Sequence, residues 1–265
     1  MSNVEFEDLI YSVDDGVATI AVNRPDRLNA WREKTYYEII EALTTAGWDK
    51  SVGVVVLTGV GGRAFGIGGD SGDKKSDRKG QGIMGVPVEV IHTLIRDIPK
   101  PVIAKVDGYA IGGGNVIATI CDMTIASDRS IFGQVGPKMG SVDPGFGTAY
   151  LARVIGEKKA REMWYMCRRY TADEALQMGL VNKVVPHDRL DAEVASWCAE
   201  IMERSPTAIA IAKKSFNAAS ESIRGIAQLG YQSVALYYDT DESKEGGDAL
   251  REKRKPDFRS IHMRK

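Results

Sequence analysis

Over the first half of the chain, short β-rich runs alternate with amphipathic stretches. Glu7 to Val13 and Val17 to Asn23 read as strands, Arg32 to Ala46 carries apolar residues at helical spacing, and Val54 to Leu57 is a short continuous apolar run of the kind a buried strand shows. A Gly-rich loop from Gly59 to Gly72 and a polar stretch to Gly85 follow. Next comes a helix near Val88 to Arg96, closed by Pro99 and Pro101 because proline disfavours helical geometry in the residue before it. Val102 to Val106 predicts a strand leading into Gly108-Tyr-Ala-Ile-Gly-Gly-Gly114; Asn115 to Cys121 predicts a helix and Met123 to Ala126 another strand. From about Gly147 the spacing turns helical, with candidates at Thr148 to Ile155, Lys158 to Cys167, Ala172 to Met178, Leu190 to Glu203, Thr207 to Ala219 and Gly225 to Leu236. This is the pattern of an α/β protein built from stacked ββα units. A core over residues 1–200 and a helical C-terminal region over 201–265 are expected, and no hydrophilic linker separates them.

Composition narrows the chemistry. Lys and Arg number 35 against 36 Asp and Glu, a net charge of −1, so the basic stripe of a nucleic-acid binder is not expected. The longest apolar runs, such as Val234 to Tyr238, fall far short of the ~20 residues a membrane span needs. The acidic, strand-like start does not read as a secretory signal, and a cytoplasmic location is the expectation. Cys121, Cys167 and Cys198 form no CxxC pair, and His92, His187 and His262 are scattered, so neither a metal site nor a His-based triad is expected.

Two glycine segments carry the candidate chemistry: Arg63-Ala-Phe-Gly-Ile-Gly-Gly-Asp70 after a buried strand, and Gly108 to Asn115 between a strand and a helix. Either can be a plain tight turn. Either can also free backbone N–H groups, near a helix N-terminus, for a developing oxyanion. Neither is a phosphate loop of the GxxxxGK[ST] type or a dinucleotide fingerprint, which disfavours ATP and NAD.

Together with Asn23-Arg-Pro-Asp-Arg-Leu-Asn-Ala30, Phe132-Gly-Gln134 and Ala175 to Val185, these loops resemble the crotonase (enoyl-CoA hydratase/isomerase) superfamily over nearly the whole chain. The resemblance implies a crotonase-like spiral of ββα units and a helical C-terminal trimerisation region. It also implies an acyl-CoA thioester substrate, a homotrimer or dimer of trimers, and an oxyanion hole at the N–H groups of Gly69 and Gly113. The two glutamates of the family's hydratases fall at Val116 and Gly136 here, which argues against simple hydration because water addition relies on those carboxylates.

A narrower likeness, on Gly140-Ser-Val-Asp-Pro-Gly-Phe-Gly147, Trp164-Tyr-Met-Cys167 and Tyr237-Tyr-Asp-Thr-Asp-Glu-Ser243, is to the branch of 2-ketocyclohexanecarboxyl-CoA hydrolases and 1,4-dihydroxy-2-naphthoyl-CoA synthases, closer to the hydrolases. It implies hydrolytic ring cleavage of a cyclic β-keto acyl-CoA in alicyclic acid degradation. Synthase-type ring closure and noncatalytic acyl-CoA binding are the alternatives. Asp143 is the candidate base for water, or a turn aspartate before Pro-Gly; Tyr238 or its neighbour Tyr237 is the candidate proton donor, or a core aromatic. Ser141 either orients Asp143 or ends a loop. Gln134, Gly136 and Trp164 match positions that in some synthases hold bicarbonate, so a small anion is a candidate cofactor and none beyond the CoA moiety is required. Arg27, Arg32, Ala64, Phe65 and Lys253 are candidates for the CoA nucleotide. The loop from Ser71 to Val86 reads as a lid or a plain surface loop.

Overall fold

The computed structural model describes residues 5–70, 72 and 80–263. Strands β1 (Leu9–Asp14) and β2 (Val17–Val22) form a hairpin. Its two turn residues, Asp15 and Gly16, both have left-handed φ, 42° and 77°, the backbone twist that two-residue hairpins favour. β2 pairs in parallel with β3 (Val54–Gly59), β3 with β5 (Val102–Val106), β5 with β7 (Met123–Ser127), and β7 with β10 (Lys183–Val185). Side-chain alternation along β3 explains its unbroken apolar run. Val55 and Leu57 belong to the core under helices α1 (Glu33–Trp48), α2 (Val88–Asp97) and α3 (Gly113–Ile120). Val54 and Val56 face the other way, onto Leu190, Val194 and Cys198 of α7 (Leu190–Met202).

A second sheet holds β4 (Ala64–Gly66), β6 (Tyr109–Ile111) and β8 (Ile131–Gly133) in parallel, closed by antiparallel β9 (Arg169–Thr171). Two turns of the spiral give one strand to each sheet and then a helix, β3, β4, α2 and β5, β6, α3, whereas β1 and β2 of the first unit both lie in the larger sheet. The short strands of this second sheet differ from the sequence reading. The segments 59–72 and 108–114 read as loops because three-residue strands set among glycines leave no alternation to detect.

The remaining elements are α4 (Leu151–Ile155), α5 (Glu157–Met166), α6 (Ala172–Gln177), α8 (Pro206–Ala218), α9 (Ser222–Tyr238), α10 (Asp241–Arg251) and α11 (Phe258–His262). The helix expected from Thr148 instead opens as one π-helical turn over Phe146–Tyr150, a local widening that recurs at functional sites. α8 is tied to the spiral by a buried lysine: Lys213 Nζ donates to Ile95 O, Lys100 O and Asp122 Oδ2 at 2.7–2.8 Å. Among the described residues no helix is long and apolar enough to cross a membrane.

Candidate active site

The two glycine segments meet. Trp31 makes a single parallel bridge to Gly69, its N–H donating to Gly68 O and its carbonyl accepting from Asp70 N–H, both at 2.8 Å. Successive groups on an extended strand point to opposite sides, so the N–H of Gly69 turns away from Trp31. Gly113 opens α3, and the first N–H groups of a helix have no intrahelical acceptor. The loops touch closely enough that a Cβ on Gly68 would sit 2.8 Å from Gly113 N, and one on Gly113 would sit 2.9 Å from Gly68 Cα. Only hydrogen fits there. Behind Gly69, burial pushes the Asp70 carboxyl up, but the Gly72 N–H and the Arg24 guanidinium together hold it below its ordinary value.

Asp143 comes to the same helix from the loop before the π turn. Its Oδ1 accepts the Gly147 N–H at 2.8 Å. A Cβ on Gly147 would meet Asp143 Oδ1 and Val116 Cγ2 both at 3.0 Å. The carboxylate therefore lies beside Val116, the first-turn position of α3 where the sequence lacks a glutamate.

Two helices clasp this loop through glycines. A Cβ on Gly145 would come 2.7 Å from Ala227 Cα, and one on Gly230 would run into the Pro144 ring, so α9 lies flush on the Asp143 segment. Gly140 and Gly246 do the same for α10 against the short turn Pro137–Met139. The end of α9 brings Tyr238 to the site, its hydroxyl 2.7 Å from Ser141 Oγ. Ser141 thus partners the tyrosine, and Asp143 is held by other groups. The Tyr237 ring lies 6.4 Å from that of Tyr238, its hydroxyl pushed up by burial.

Sequence reasoning missed two residues. Tyr231 donates to Asp143 Oδ2 at 2.8 Å, and His92 Nδ1 lies 3.4 Å from the same tyrosine hydroxyl. Tyr231 precedes Tyr238 by seven residues on α9, two helical turns along one face, and that spacing was a usable signal. His92 had none, being about 50 positions from Asp143 in the sequence.

The other expected residues are distributed unevenly. Gln134 is buried with its Nε2 unpartnered, and the Trp164 ring fills the space a side chain at Gly136 would take. The Trp164 indole N–H, however, already donates to Gly147 O. The trio therefore leaves only the Gln134 amide group unspent and does not fit a bicarbonate gripped by both Gln134 and Trp164. Arg32 is not open for a phosphate: Asp8 holds it through two hydrogen bonds at 2.7 and 2.8 Å, and Glu7 pairs with it as well. Phe65 and Ala64 are both buried, and Ala64 O accepts from Asn29 Nδ2, so neither side chain is open to solvent. Arg27 is exposed on the turn Pro25–Arg27, near enough to Asp70 to act on its charge, and Lys253 is exposed in a left-handed turn after α10. Of the supposed lid, residues 71 and 73–79 lie outside the described residues.

Comparison with known proteins agrees with this architecture. The family model described as enoyl-CoA hydratase/isomerase matches residues 12–261. The chain is 31% identical to an enoyl-CoA hydratase from Mycobacterium avium subsp. paratuberculosis K-10, over 96% of this chain and 99% of that one, with a TM-score of 0.83. It is 25% identical to an enoyl-CoA hydratase/isomerase from Pseudoalteromonas atlantica T6c, covering 95% and 99%, with a TM-score of 0.86. It is also 25% identical to OdaA from Pseudomonas aeruginosa, covering 92% and 98%, with a TM-score of 0.85. The chain belongs to the enoyl-CoA hydratase/isomerase family of the crotonase superfamily, and it is an acyl-CoA-processing enzyme.

Proposed function

We propose that this enzyme hydrolyses the ring of a cyclic β-keto acyl-CoA, converting 2-ketocyclohexanecarboxyl-CoA to pimelyl-CoA in the cytoplasm. One observation carries the reading: with Val116 and Gly136 at the hydratase glutamate positions, Asp143 supplies a carboxylate against the first turn of α3. Such a base suits water attack on a ring ketone better than the paired acid and base work of hydration.

The N–H groups of Gly69 and Gly113 bind the thioester oxygen. Asp143 takes a proton from water as its oxygen adds to the ketone carbon, giving a tetrahedral alkoxide. Collapse of the alkoxide breaks the bond between the former ketone carbon and the α-carbon, and the electron pair passes to the thioester as an enolate stabilised by the two N–H groups. Tyr238, with Ser141 at its hydroxyl, delivers a proton to the α-carbon and recovers one by way of solvent, and Asp143 returns the proton it took from water to solvent. The thioester stays intact. No step passes through a bound anion. The functional unit is proposed to be a trimer or a dimer of trimers.

The test is turnover of 2-ketocyclohexanecarboxyl-CoA in ¹⁸O water, read by mass spectrometry. A linear dicarboxylic mono-CoA ester carrying one solvent oxygen in its new carboxylate is expected. Early free CoA would make the protein a plain thioesterase, and an uncut ring would return it to the synthase branch.

A further inference from the structure

Asp143 is pinned at both oxygens, and the second pin leads into the core. Tyr231 is fully buried, and among the described residues its one hydroxyl hydrogen has a single carboxylate within reach, Oδ2 of Asp143 at 2.8 Å. A carboxylate only accepts, so that hydrogen is spent on Asp143. The contact of 3.4 Å between His92 Nδ1 and the tyrosine oxygen must then run the other way, with Nδ1–H donating. His92 Nε2 stays without a hydrogen and lies 4.0 Å from Asp143 Oδ2, beyond hydrogen-bond range. The imidazole packs edge-on against Phe146, the first residue of the π turn, with ring centroids 5.5 Å apart.

We propose that Tyr231 and His92 are positioning residues for Asp143, forming a chain from His92 Nδ1–H to Tyr231 Oη and from Tyr231 O–H to Asp143 Oδ2 that fixes the carboxylate as a base. The proposal deepens the ring-cleavage reading and rests on it for the role of Asp143. With Gly147 N–H on Oδ1 and Tyr231 on Oδ2, the carboxylate has one defined orientation and a free lone pair on each oxygen. The surroundings support the protonation states the chain needs. Burial holds the His92 imidazole below its ordinary value, against the pull of Asp143 and Glu89, so it stays neutral. Burial and the neighbouring Asp143 charge raise the Tyr231 hydroxyl well above its ordinary value, so it keeps its hydrogen. The charged and titratable groups around the chain are Glu89, His92 and Arg96 from α2, Tyr36 from α1, Tyr231 from α9 and Asp143 itself. Arg96 stacks on Phe146 and Tyr150 at 5.3 and 5.0 Å.

Tyr231→Phe keeps the ring and deletes the hydrogen bond. Losing a hydrogen bond to a charged group predicts a fall in kcat of ~10- to 100-fold with KM unchanged. A residue that merely packs would leave kcat in place, since the phenylalanine ring fills the same space. His92→Asn, which still presents an N–H near the Nδ1 position, should retain more activity than His92→Phe. An arm independent of substrate reads the imidazole ¹⁵N shifts of the wild-type enzyme. His92 should be neutral and protonated at Nδ1 through the range in which free histidines titrate, and that signal should change in Tyr231→Phe. Full kcat in a folded Tyr231→Phe variant, or a His92 that titrates or carries its hydrogen on Nε2, overturns the proposal. A wild-type enzyme inactive on the keto thioester overturns ring cleavage instead, and the imidazole arm then decides the pair alone.

Discussion

At the scale of single residues the proposed chemistry centres on Asp143 because of where it lies: the Gly147 N–H holds it, Val116 lies beside it, and α3 begins one turn away at Gly113. Asp143→Asn keeps the shape and removes the base. Turnover should fall by ~10² to 10⁴, while the CoA affinity, measured by calorimetry with the free coenzyme, should hold, since the nucleotide does not touch the reacting carbon. Near-native turnover would remove Asp143 from the mechanism. The proposed oxyanion donor at Gly113 needs a paired test, since any Cβ there presses on Gly68 Cα at 2.9 Å. Gly113→Ala carries that crowding with the N–H intact, and Gly113→Pro carries it without the N–H. The proline variant should be slower than the alanine variant by roughly 10² to 10³ once both are shown to fold. Equal rates would move the oxyanion hole elsewhere.

Between elements, the decisive device is the pair of glycine contacts that lets α9 lie on the Asp143 loop. Alanine is the better helix former by ~1 kcal/mol, so Gly230→Ala would stabilise a helix that touched nothing. Here the new methyl meets the Pro144 ring, and overpacking of this kind costs about 1–3 kcal/mol. The expected result is a lowered thermal midpoint together with lost turnover, as α9 carries Tyr231 and Tyr238 away from Asp143; a raised midpoint with full activity would mean that the helix does not seat as described. The same contacts show why the site was only half legible in the sequence. Gly69 and Gly113 were singled out through the family resemblance, because glycine runs are common and either loop alone reads equally well as a tight turn. The apolar periods placed α1, α2, β3, β5 and β7 with errors of only a residue or two at most ends. What holds Asp143 in place depends on a helix about 90 positions further on, and no periodicity in either segment encodes that meeting. Arg32 shows the opposite failure: a basic residue singled out by its position in the family, committed in the structure to Asp8 and Glu7. The helix α10 was missed because its Gly246-Gly247 pair and dense charge mask an amphipathic stripe.

Taken as a whole, the spiral buries its strands between α1, α2 and α3 on one side and α7 on the other, yet it leaves the C-terminal helices with apolar residues in solvent. Leu229 and Leu236, seven apart on α9, are each 74% exposed, and Ile211 and Phe216 of α8 are 65% and 77% exposed. Seven residues are two helical turns, so Leu229 and Leu236 share one stripe, while Ile223, Ala227, Tyr231 and Val234 of the same helix are buried against the chain's own core. A helix apolar on both sides is the mark of an interface, since monomers rarely expose large contiguous apolar patches. Sedimentation equilibrium of the purified enzyme should therefore give a mass three or six times the 28.9 kDa of one chain. Leu229→Glu combined with Leu236→Glu, which sets like charges two turns apart on the same stripe, should shift it toward the single-chain mass. Because the inner face of α9 carries Tyr231 and the helix ends at Tyr238, freeing its outer face should also loosen the clasp on Asp143, and turnover should fall with the loss of assembly. A wild-type enzyme that sediments as one chain at full activity would show instead that α9 is seated by its inner face alone, through Gly145, Gly230 and the Tyr231 hydrogen bond.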